Sequence, residues 1–221
     1  MLVRKSFEVS ECRELVSICE SLGIRLGYAF YEKGTTVYEQ GTAASGCYLL
    51  GDKSWVMELY RSRRGRKRAL QILGPGTLLG FEDVVLQRDW RRTLAKTLTD
   101  TYVAFIKAGD FQSLLAFPAS HQIILSKIIR GYYELKSVLM ETACPLRERL
   151  ARFILRLDQL DLLERVKLTN CEIAEALGCS SVAISNELSK LRRRGMVGRS
   201  QRRITVLDRD RLKALAGAHG I

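Results

Sequence analysis

The chain has 221 residues, of which 47% are hydrophobic, so it is long enough to bury one or two cores. Its formal net charge of +12 favours a polyanionic partner, and nucleic acid is the first such partner to consider. No stretch has the length and apolar character of a membrane span, and the first residues lack the apolar region of a secretory signal. We therefore expect a cytoplasmic protein that makes no membrane contact.

The first part of the chain, residues 1–118, is predicted to form a helix followed by short strands. Apolar residues repeat at helical spacing within residues 8–28. From about residue 31 to residue 106, strand-like runs alternate with glycine-containing turns, and the last of these runs spans residues 97–106. Short strands at regular spacing are typical of an antiparallel sandwich or roll, so we expect a cupin-like β-roll domain here.

A strongly basic turn, residues 61–68, separates two of the predicted strands. Its sequence is Arg-Ser-Arg-Arg-Gly-Arg-Lys-Arg. It is either a solvated turn or a contact to flanking DNA or to RNA polymerase.

A long helix is predicted over residues 119–143, after Phe117-Pro118. One apolar series in it steps by four and three residues, which is the spacing of a seam against a partner helix: Ile124, Ile128, Gly131, Leu135 and Val138. A neighbouring stripe is expected to pack on the β-roll: Leu125, Ile129, Tyr132 and Leu139. The alternative is a helix buried in its own domain. We assign residues 119–144 to this helix and to a hinge at Cys144-Pro145.

The remaining residues, 145–221, begin with a predicted helix to about residue 162 and continue with two short helices separated by a tight turn. Thr169 and Glu172 form a capping box at the start of the first short helix, and Gly178 ends it. Ser180 is the N-cap of the second, whose inward residues are predicted as Ala183 or Ile184, Leu188 and Leu191. This is the pattern of a helix-turn-helix, whose second helix enters the DNA major groove. An ordinary helical hairpin is the alternative.

The predicted DNA contacts fall into two groups. The exposed start of the second helix is expected to face the base edges through Ser181, Val182, Ser185 and Asn186. Val182 suits a thymine methyl group and Asn186 suits adenine, which predicts an A/T-biased half-site core. A hairpin-like wing follows over residues 196–207, and Asp208 is predicted to cap a last helix. The residues expected to contact phosphates of the DNA backbone are Thr169, Ser180, Lys190, Arg199, Arg202 and Arg203.

Three segments of the first domain resemble a known family. They are Lys33-Gly34 with Gln40-Gly41, the turn of residues 73–82 (Leu-Gly-Pro-Gly-Thr-Leu-Leu-Gly-Phe-Glu), and Arg91-Arg92-Thr93. These segments resemble the cyclic-nucleotide-binding β-roll, and with the winged helix-turn-helix the whole chain resembles the bacterial Crp/Fnr transcription regulators. The resemblance implies an α+β fold, a homodimer of parallel long helices, double-stranded DNA with a palindromic operator, and RNA polymerase as a partner.

The resemblance also implies an effector pocket in the β-roll. Gly80 and Arg91 occupy the family's phosphate-binding positions, but Phe81 and Arg92 replace its usual glutamate and serine. Thr93 follows this arginine pair. Glu134 and Leu135 stand where the long helix of cyclic-AMP binders offers a Thr-Ser pair. We therefore expect no cyclic AMP. A small anionic effector is a candidate, and effector-independent control is an alternative.

Redox control is a further alternative, since the chain has six cysteines, two of them in the DNA-binding part: Cys12, Cys19, Cys47, Cys144, Cys171 and Cys179. No iron–sulfur cluster, haem or other metal is expected, because Cys12 and Cys19 do not form a cluster-binding group and the histidines are only His121 and His219. No nucleophile or P-loop motif indicates an enzyme. The remaining alternative is a nucleotide-sensing module that acts through protein partners.

Overall fold

The computed structural model describes residues 7–217, within a chain that divides into two compact units. The first, the β-roll unit, comprises Met1–Arg61 and Leu70–Lys136. The second, the DNA-binding unit, comprises Ser62–Ala69 and Ser137–Ile221. The division therefore falls within the long helix, eight residues before the predicted hinge.

The β-roll unit begins with a helix and then forms two four-stranded sheets. A 3₁₀ turn at Ser10–Cys12 leads into α1 (Arg13–Ser21), and α2 (Phe81–Val85) lies between strands. The first sheet has the order β1 (Gly27–Tyr31), β8 (Thr101–Lys107), β3 (Gly46–Leu50) and β6 (Leu78–Leu79). The second has the order β2 (Thr36–Tyr38), β7 (Leu94–Thr97), β4 (Val56–Arg61) and β5 (Lys67–Leu73).

The predicted antiparallel roll is confirmed, and two element boundaries differ from the prediction. The first helix ends at Ser21, well before residue 28, because Gly23 adopts a left-handed backbone and β1 begins at Gly27. The strand predicted over residues 97–106 begins later, as β8, because Thr97 is the last residue of β7, which lies in the other sheet. A helix that we did not predict, α3 (Ala108–Ala116), packs Phe111 and Leu114 into the core.

The long helix, α4 (Pro118–Glu141), forms as predicted, but the residues at its start pack differently from the prediction. Ile124 is fully buried in the core of the β-roll unit, and Ile128 packs against the same core. Ile124 was assigned to the dimer seam, and its full burial in the β-roll core contradicts that assignment, whereas the assignment of the half-buried Ile128 remains a prediction. The helix orientation is set at its start, where the buried Ser120 hydroxyl donates to the carbonyl oxygens of Leu114 and Phe117.

The stripe expected to pack on the β-roll is instead exposed. Its members are between 45% and 68% exposed: Leu125, Ile129, Tyr132 and Leu139. Leu135 is 39% exposed, and Gly131 and Val138 are half-buried.

The DNA-binding unit contains α5 (Leu146–Gln159), α6 (Asn170–Leu177), α7 (Ser181–Arg193), the strand pair β9 (Val197–Ser200) and β10 (Arg203–Val206), and α8 (Arg209–Ala216). Residues of α5 form much of its core, with Leu150, Ile154 and Leu157 fully buried. Pro145 is the N-cap of α5 rather than a residue of its first turn. Asp208 caps α8 as predicted, since its carboxylate accepts from the backbone N–H of Arg211.

The local signals of the two short helices are confirmed. Both hydrogen bonds of the Thr169–Glu172 capping box are present, and the Ser180 hydroxyl accepts from the Ala183 N–H. Gly178 ends α6 with φ at 63°, a left-handed conformation that costs glycine least. Among residues 7–217, no helix is both long enough and apolar enough to cross a membrane.

Candidate DNA interface and effector pocket

One face of α7 is buried, and the other presents the residues predicted to face DNA bases. Ile184, Leu188 and Leu191 are at most 3% exposed and hold the helix on its unit. On the opposite face, Val182 is 67% exposed, and Ser185 and Asn186 are also exposed. Ser181 is half-buried at the first position of the helix. The N-terminal half of α7 thus offers short polar and apolar groups of a size that reaches base edges.

Arg202 and Arg203 lie at the tip of the wing and are exposed. Gln201 and Arg202 both have positive φ, which closes the two-residue turn between β9 and β10. This conformation holds both guanidinium groups at the end of a rigid hairpin, a position suited to phosphate contact.

Three other residues predicted to contact phosphate already make side-chain hydrogen bonds or an ion pair within the chain. The Thr169 hydroxyl donates to Glu172 and the Ser180 hydroxyl caps α7. Lys190 pairs with Glu187 at 2.7 Å on an exposed surface, where such a pair is weak. Their contact with phosphate remains a prediction.

Arg199 has a structural role that we did not anticipate. Its guanidinium donates to the carbonyl oxygen of Leu168 at 2.9 Å and to the side-chain oxygen of Asn170. These bonds tie the wing to the start of α6. Burial lowers the pKa of Arg199 from its ordinary value, and nearby Arg192 and Arg202 lower it further. An open cleft beside it, of about 420 Å³, lies between α7 and β9 and is lined by Ser189, Arg192, Arg193, Val197, Gly198 and Arg199.

In the β-roll unit, Arg91 and Gly80 are brought together as predicted, but Arg91 points inward. It is 2% exposed, and its two terminal nitrogens donate to the carbonyl oxygens of Gly80 and Gly46. Its guanidinium carbon lies 4.6 Å from the centre of the Tyr38 ring, in a cation–π arrangement. Gly80 has φ at 68°, and a Cβ there would clash with Arg91 Nη1. This position therefore needs glycine both for its backbone and for the approach of the arginine.

Two acidic residues that sequence reasoning missed lie near this arginine. Glu58 on β4 is 4% exposed and accepts hydrogen bonds from Thr93 Oγ1 and Gln71 Nε2, both at 2.7 Å. Burial, and secondly the charge of Glu58, raise the pKa of Glu82 to about 8. The sequence contains one signal that could have predicted a buried acid: Glu58 is the single acidic residue inside the apolar run of residues 56–60.

The other predicted pocket residues do not form one site. Phe81 packs against the core, and Arg92 is exposed. Thr93 is half-buried and its hydroxyl is bonded to Glu58. Glu134 and Leu135 are exposed on α4. Of the residues assigned to the effector, only Gly80, Arg91 and Thr93 therefore take part in the buried polar cluster.

The described thiols fall into two groups. Cys12, Cys19 and Cys47 are buried, and burial raises the pKa of Cys19 to about 11, which keeps this thiol protonated and unreactive. Cys171 is exposed, whereas Cys179 is half-buried and burial raises its pKa. No group of three His, Cys, Asp or Glu side chains within residues 7–217 is placed to hold a metal ion. His219 lies outside the described residues.

Both units match known protein families. Residues 29–116 match the model of the cyclic nucleotide-binding domain, and residues 148–215 match that of the Crp-like helix-turn-helix domain. The chain belongs to the Crp/Fnr family of transcription regulators. The matched domains and relatives of this Crp/Fnr protein are transcription regulators and not enzymes.

Curated relatives of the family align over most of the chain. The Cyclic AMP receptor protein of Thermus thermophilus is 28% identical over 187 residues, which cover 80% of this chain and 84% of the relative. The Nitrogen fixation regulation protein FixK of Rhizobium meliloti is 25% identical over 201 residues, which cover 85% of this chain and 86% of the relative.

Solved Crp/Fnr structures share the fold. A CRP-family transcriptional regulator from Thermus thermophilus superposes with a TM-score of 0.73 at 23% identity, covering 86% of this chain and 97% of the other. FixK2 from Bradyrhizobium japonicum also gives a TM-score of 0.73 at 21% identity, and the superposition covers 89% of this chain and 100% of the other.

Proposed function

We propose that this Crp/Fnr protein acts as a homodimer that binds a palindromic operator, responds to a small effector at the β-roll, and acts on RNA polymerase from the cytoplasm. The observation that carries the proposal is the exposed N-terminal face of α7, where Val182, Ser185 and Asn186 project from a helix buried on its other side. In a winged helix-turn-helix this face enters the major groove.

The dimer is supported by the exposed apolar stripe of α4. Leu125, Ile129, Tyr132 and Leu139 follow one another at steps that fit the heptad spacing of a helix pair. Tyr133 and Met140 extend this stripe and are 63% and 68% exposed. A run of this length in contact with water is typical of an interaction surface, and a second copy of α4 would cover it. Two recognition helices would then meet half-sites about 34 Å apart.

Base contacts are proposed for Val182 and Asn186. The Val182 side chain suits the methyl group of thymine, and the Asn186 amide suits a bidentate pair with adenine. These assignments predict an A/T-biased core in each half-site. Family members often carry other residues at both positions, so the operator is expected to differ from theirs.

Effector control is proposed through Arg91. A small anion that binds Nη1 or Nη2 of this guanidinium would compete with the carbonyl oxygens of Gly80 and Gly46 that now accept their hydrogen bonds. Gly46 lies in β3 and Gly80 caps α2, so such an exchange would loosen the connection between these two elements. An effector changes DNA affinity only if it favours one of two such arrangements over the other.

The test is selection of binding sites from random duplex DNA by the purified protein, under reducing conditions and without added ligand. We expect a palindrome with A/T-rich half-site cores. Asn186→Ala should weaken binding to the selected site by roughly 10- to 100-fold, the effect of one bidentate base contact. The substitution Leu139→Glu should remove the palindrome and leave half-site binding, because it places a charge in the proposed helix pair.

Two outcomes would count against parts of the proposal, and a third would exclude an alternative to it. A guanine-centred site that depends on Asn186 would contradict the base assignment, and a palindrome retained by Leu139→Glu would contradict the dimer face. Full operator binding after alkylation of every thiol would exclude the redox alternative. In contrast, enrichment that appears only with an added small anion, and that Arg91→Lys abolishes, would support effector control.

A further inference from the structure

The segment of residues 62–69 contains the turn between β4 and β5 and the first three residues of β5, and it carries a high density of positive charge. It belongs to the DNA-binding unit, which carries 21 of the 36 Lys and Arg residues but only 10 of the 24 Asp and Glu residues. The β-roll unit is therefore nearly neutral, and almost the whole net charge of +12 lies in the DNA-binding unit. The segment of residues 62–69 alone supplies five of those cations and no acid.

The backbone of the turn is closed by its own hydrogen bonds. The Gly65 N–H donates to the Ser62 carbonyl oxygen at 2.9 Å, and the Ser62 N–H donates to the Arg66 carbonyl oxygen at 2.8 Å. The Ser62 hydroxyl also accepts from the Arg66 N–H. The turn is therefore a defined hairpin tip rather than a loose loop, and its cations are held close together.

These cations are not neutralised within the described residues. Arg61, just before the turn, pairs with Glu39, whereas Arg63, Arg64 and Arg66 are exposed and make no ion pair in the part of the chain that the structure describes. Holding like charges together in one tight turn costs free energy through mutual repulsion. A polyanion that binds to them would remove that cost.

Within the DNA-binding unit, the side chain of Arg68 lies beside the turn of the helix-turn-helix. A Cβ at Gly178, in the turn between α6 and α7, would lie 3.3 Å from the Cδ atom of Arg68. Gly178 is followed by Ser180, the N-cap of α7, and residues at the start of a recognition helix are the ones that meet base edges. Arg68 follows Arg66 by two residues, so its contact places the base of the tip beside the turn that precedes α7.

We propose that the β4–β5 tip is a second phosphate-binding element, which holds the operator backbone through Arg63, Arg64 and Arg66. This inference rests on the proposed DNA binding and adds to it a contact outside the helix-turn-helix and the wing. Phosphate contacts set position and affinity but carry no sequence information. The tip should therefore strengthen binding to all duplexes alike.

The experiment compares operator affinity over a range of salt concentrations for the full-length protein and three matched variants. The first replaces Arg63, Arg64 and Arg66 by Gln. The second replaces the same residues by Lys, which keeps the charge. The third replaces Arg13, Arg25 and Lys107, exposed residues of the β-roll unit, by Gln, which removes the same number of charges elsewhere.

We expect the Gln tip variant to reduce the slope of log affinity against log salt by about 0.9 for each phosphate that it no longer neutralises, hence by about 1.8 if each protomer releases one phosphate. Its affinity should fall by the same factor for the operator and for random duplex DNA. The Lys tip variant and the β-roll control should keep the wild-type slope. Circular dichroism of each variant establishes that it is folded.

Two results would overturn the inference. Equal slopes for the Gln tip variant and the β-roll control would show that the tip touches no phosphate. Unchanged DNA binding with impaired transcription activation would assign the tip to an acidic protein surface instead, such as one on RNA polymerase. Absence of operator binding by the wild-type protein would be a different failure, that of the proposed function itself.

Discussion

The two units use arginine in opposite ways. In the β-roll unit, Arg91 is 2% exposed and bonded to two backbone carbonyl oxygens. In the DNA-binding unit, Arg202 and Arg203 are exposed at the end of the wing. The sequence had assigned all three to anions. The structure shows that Arg91 is already used to hold the fold, so its position alone does not make it a ligand-binding residue.

The environment of each arginine explains the difference. Arg91 lies beside the Tyr38 ring and near the buried carboxylate of Glu58, and its Nε atom has no hydrogen-bond partner among the described residues. A buried guanidinium is stable only when most of its donors are satisfied. At the wing, water and counterions satisfy the same groups at little cost, so these side chains stay available to phosphate.

The largest effect on stability is expected from replacing Arg91, and it tests whether this arginine holds the fold. Arg91→Ala should lower the free energy of unfolding of the β-roll unit by about 2–5 kcal/mol without any ligand, because the carbonyl oxygens of Gly80 and Gly46 lose their donor. Urea unfolding followed by tryptophan fluorescence measures this, since both tryptophans, Trp55 and Trp90, lie in the β-roll unit.

The matched control for this prediction is the exposed neighbour. Arg92→Ala should change the free energy of unfolding by no more than about 0.5 kcal/mol. If the two variants prove equally stable, Arg91 has no structural role, and the contrast between the two units disappears.

A smaller effect is expected from the pH dependence of the β-roll unit. The pKa of Glu82 is raised to about 8, first by burial and then by the charge of Glu58, so the folded protein keeps a proton that the unfolded chain releases above about pH 4.5. The contribution of Glu82 to the free energy of unfolding should therefore be complete below about pH 4.5 and should fall by up to about 1.4 kcal/mol per pH unit as the pH rises towards 8.

The substitution Glu82→Gln should remove most of this slope, because the variant has no proton to lose at that position. Asp89→Asn, at an exposed position of the same unit, should retain it. Urea unfolding at several pH values between 5 and 8 distinguishes them. An unchanged slope in the Glu82→Gln variant would assign the pH dependence to another group.

The smallest effect on stability is expected at the tip of the wing. Replacing Arg202 and Arg203 by Gln should change the free energy of unfolding by less than about 0.5 kcal/mol. The salt slope of DNA binding should nevertheless fall by about 0.9 for each phosphate that the variant no longer neutralises. Thermal unfolding and salt titration of the same variant separate these two effects.

Arg199 provides the contrast within the same wing. Arg199→Gln breaks the bond to the Leu168 carbonyl oxygen and should cost about 1–3 kcal/mol of stability. If Arg199→Gln leaves stability unchanged, the internal bonds of this arginine contribute nothing, and it becomes available as a phosphate contact like its neighbours.

Much of the DNA-binding unit could be predicted because its signals are local. The capping box of Thr169 and Glu172, the left-handed Gly178 and the N-cap Ser180 each depend on residues within a few positions of one another. The backbone groups at helix ends need such partners wherever the helix lies, so the pattern is visible before any tertiary contact is known.

The face of α4 could not be predicted in the same way. Two apolar stripes, one residue apart, run along this helix with similar spacing, so periodicity alone favours neither as the buried one. The rotation of the helix is decided by the turn at Ser120 and by the place of Ile124 in the β-roll core, both of which are tertiary contacts.

By itself, the sequence determined the winged helix-turn-helix, the antiparallel roll and the residues exposed at the start of α7, because caps, turns and apolar periodicity act over short distances. Only the tertiary structure decided that Arg91 points inward, that Glu58 and Glu82 lie close to it, and which stripe of α4 is exposed. These features depend on the burial of charge between elements far apart in the chain, and the free energy of a charge is set by its surroundings in three dimensions.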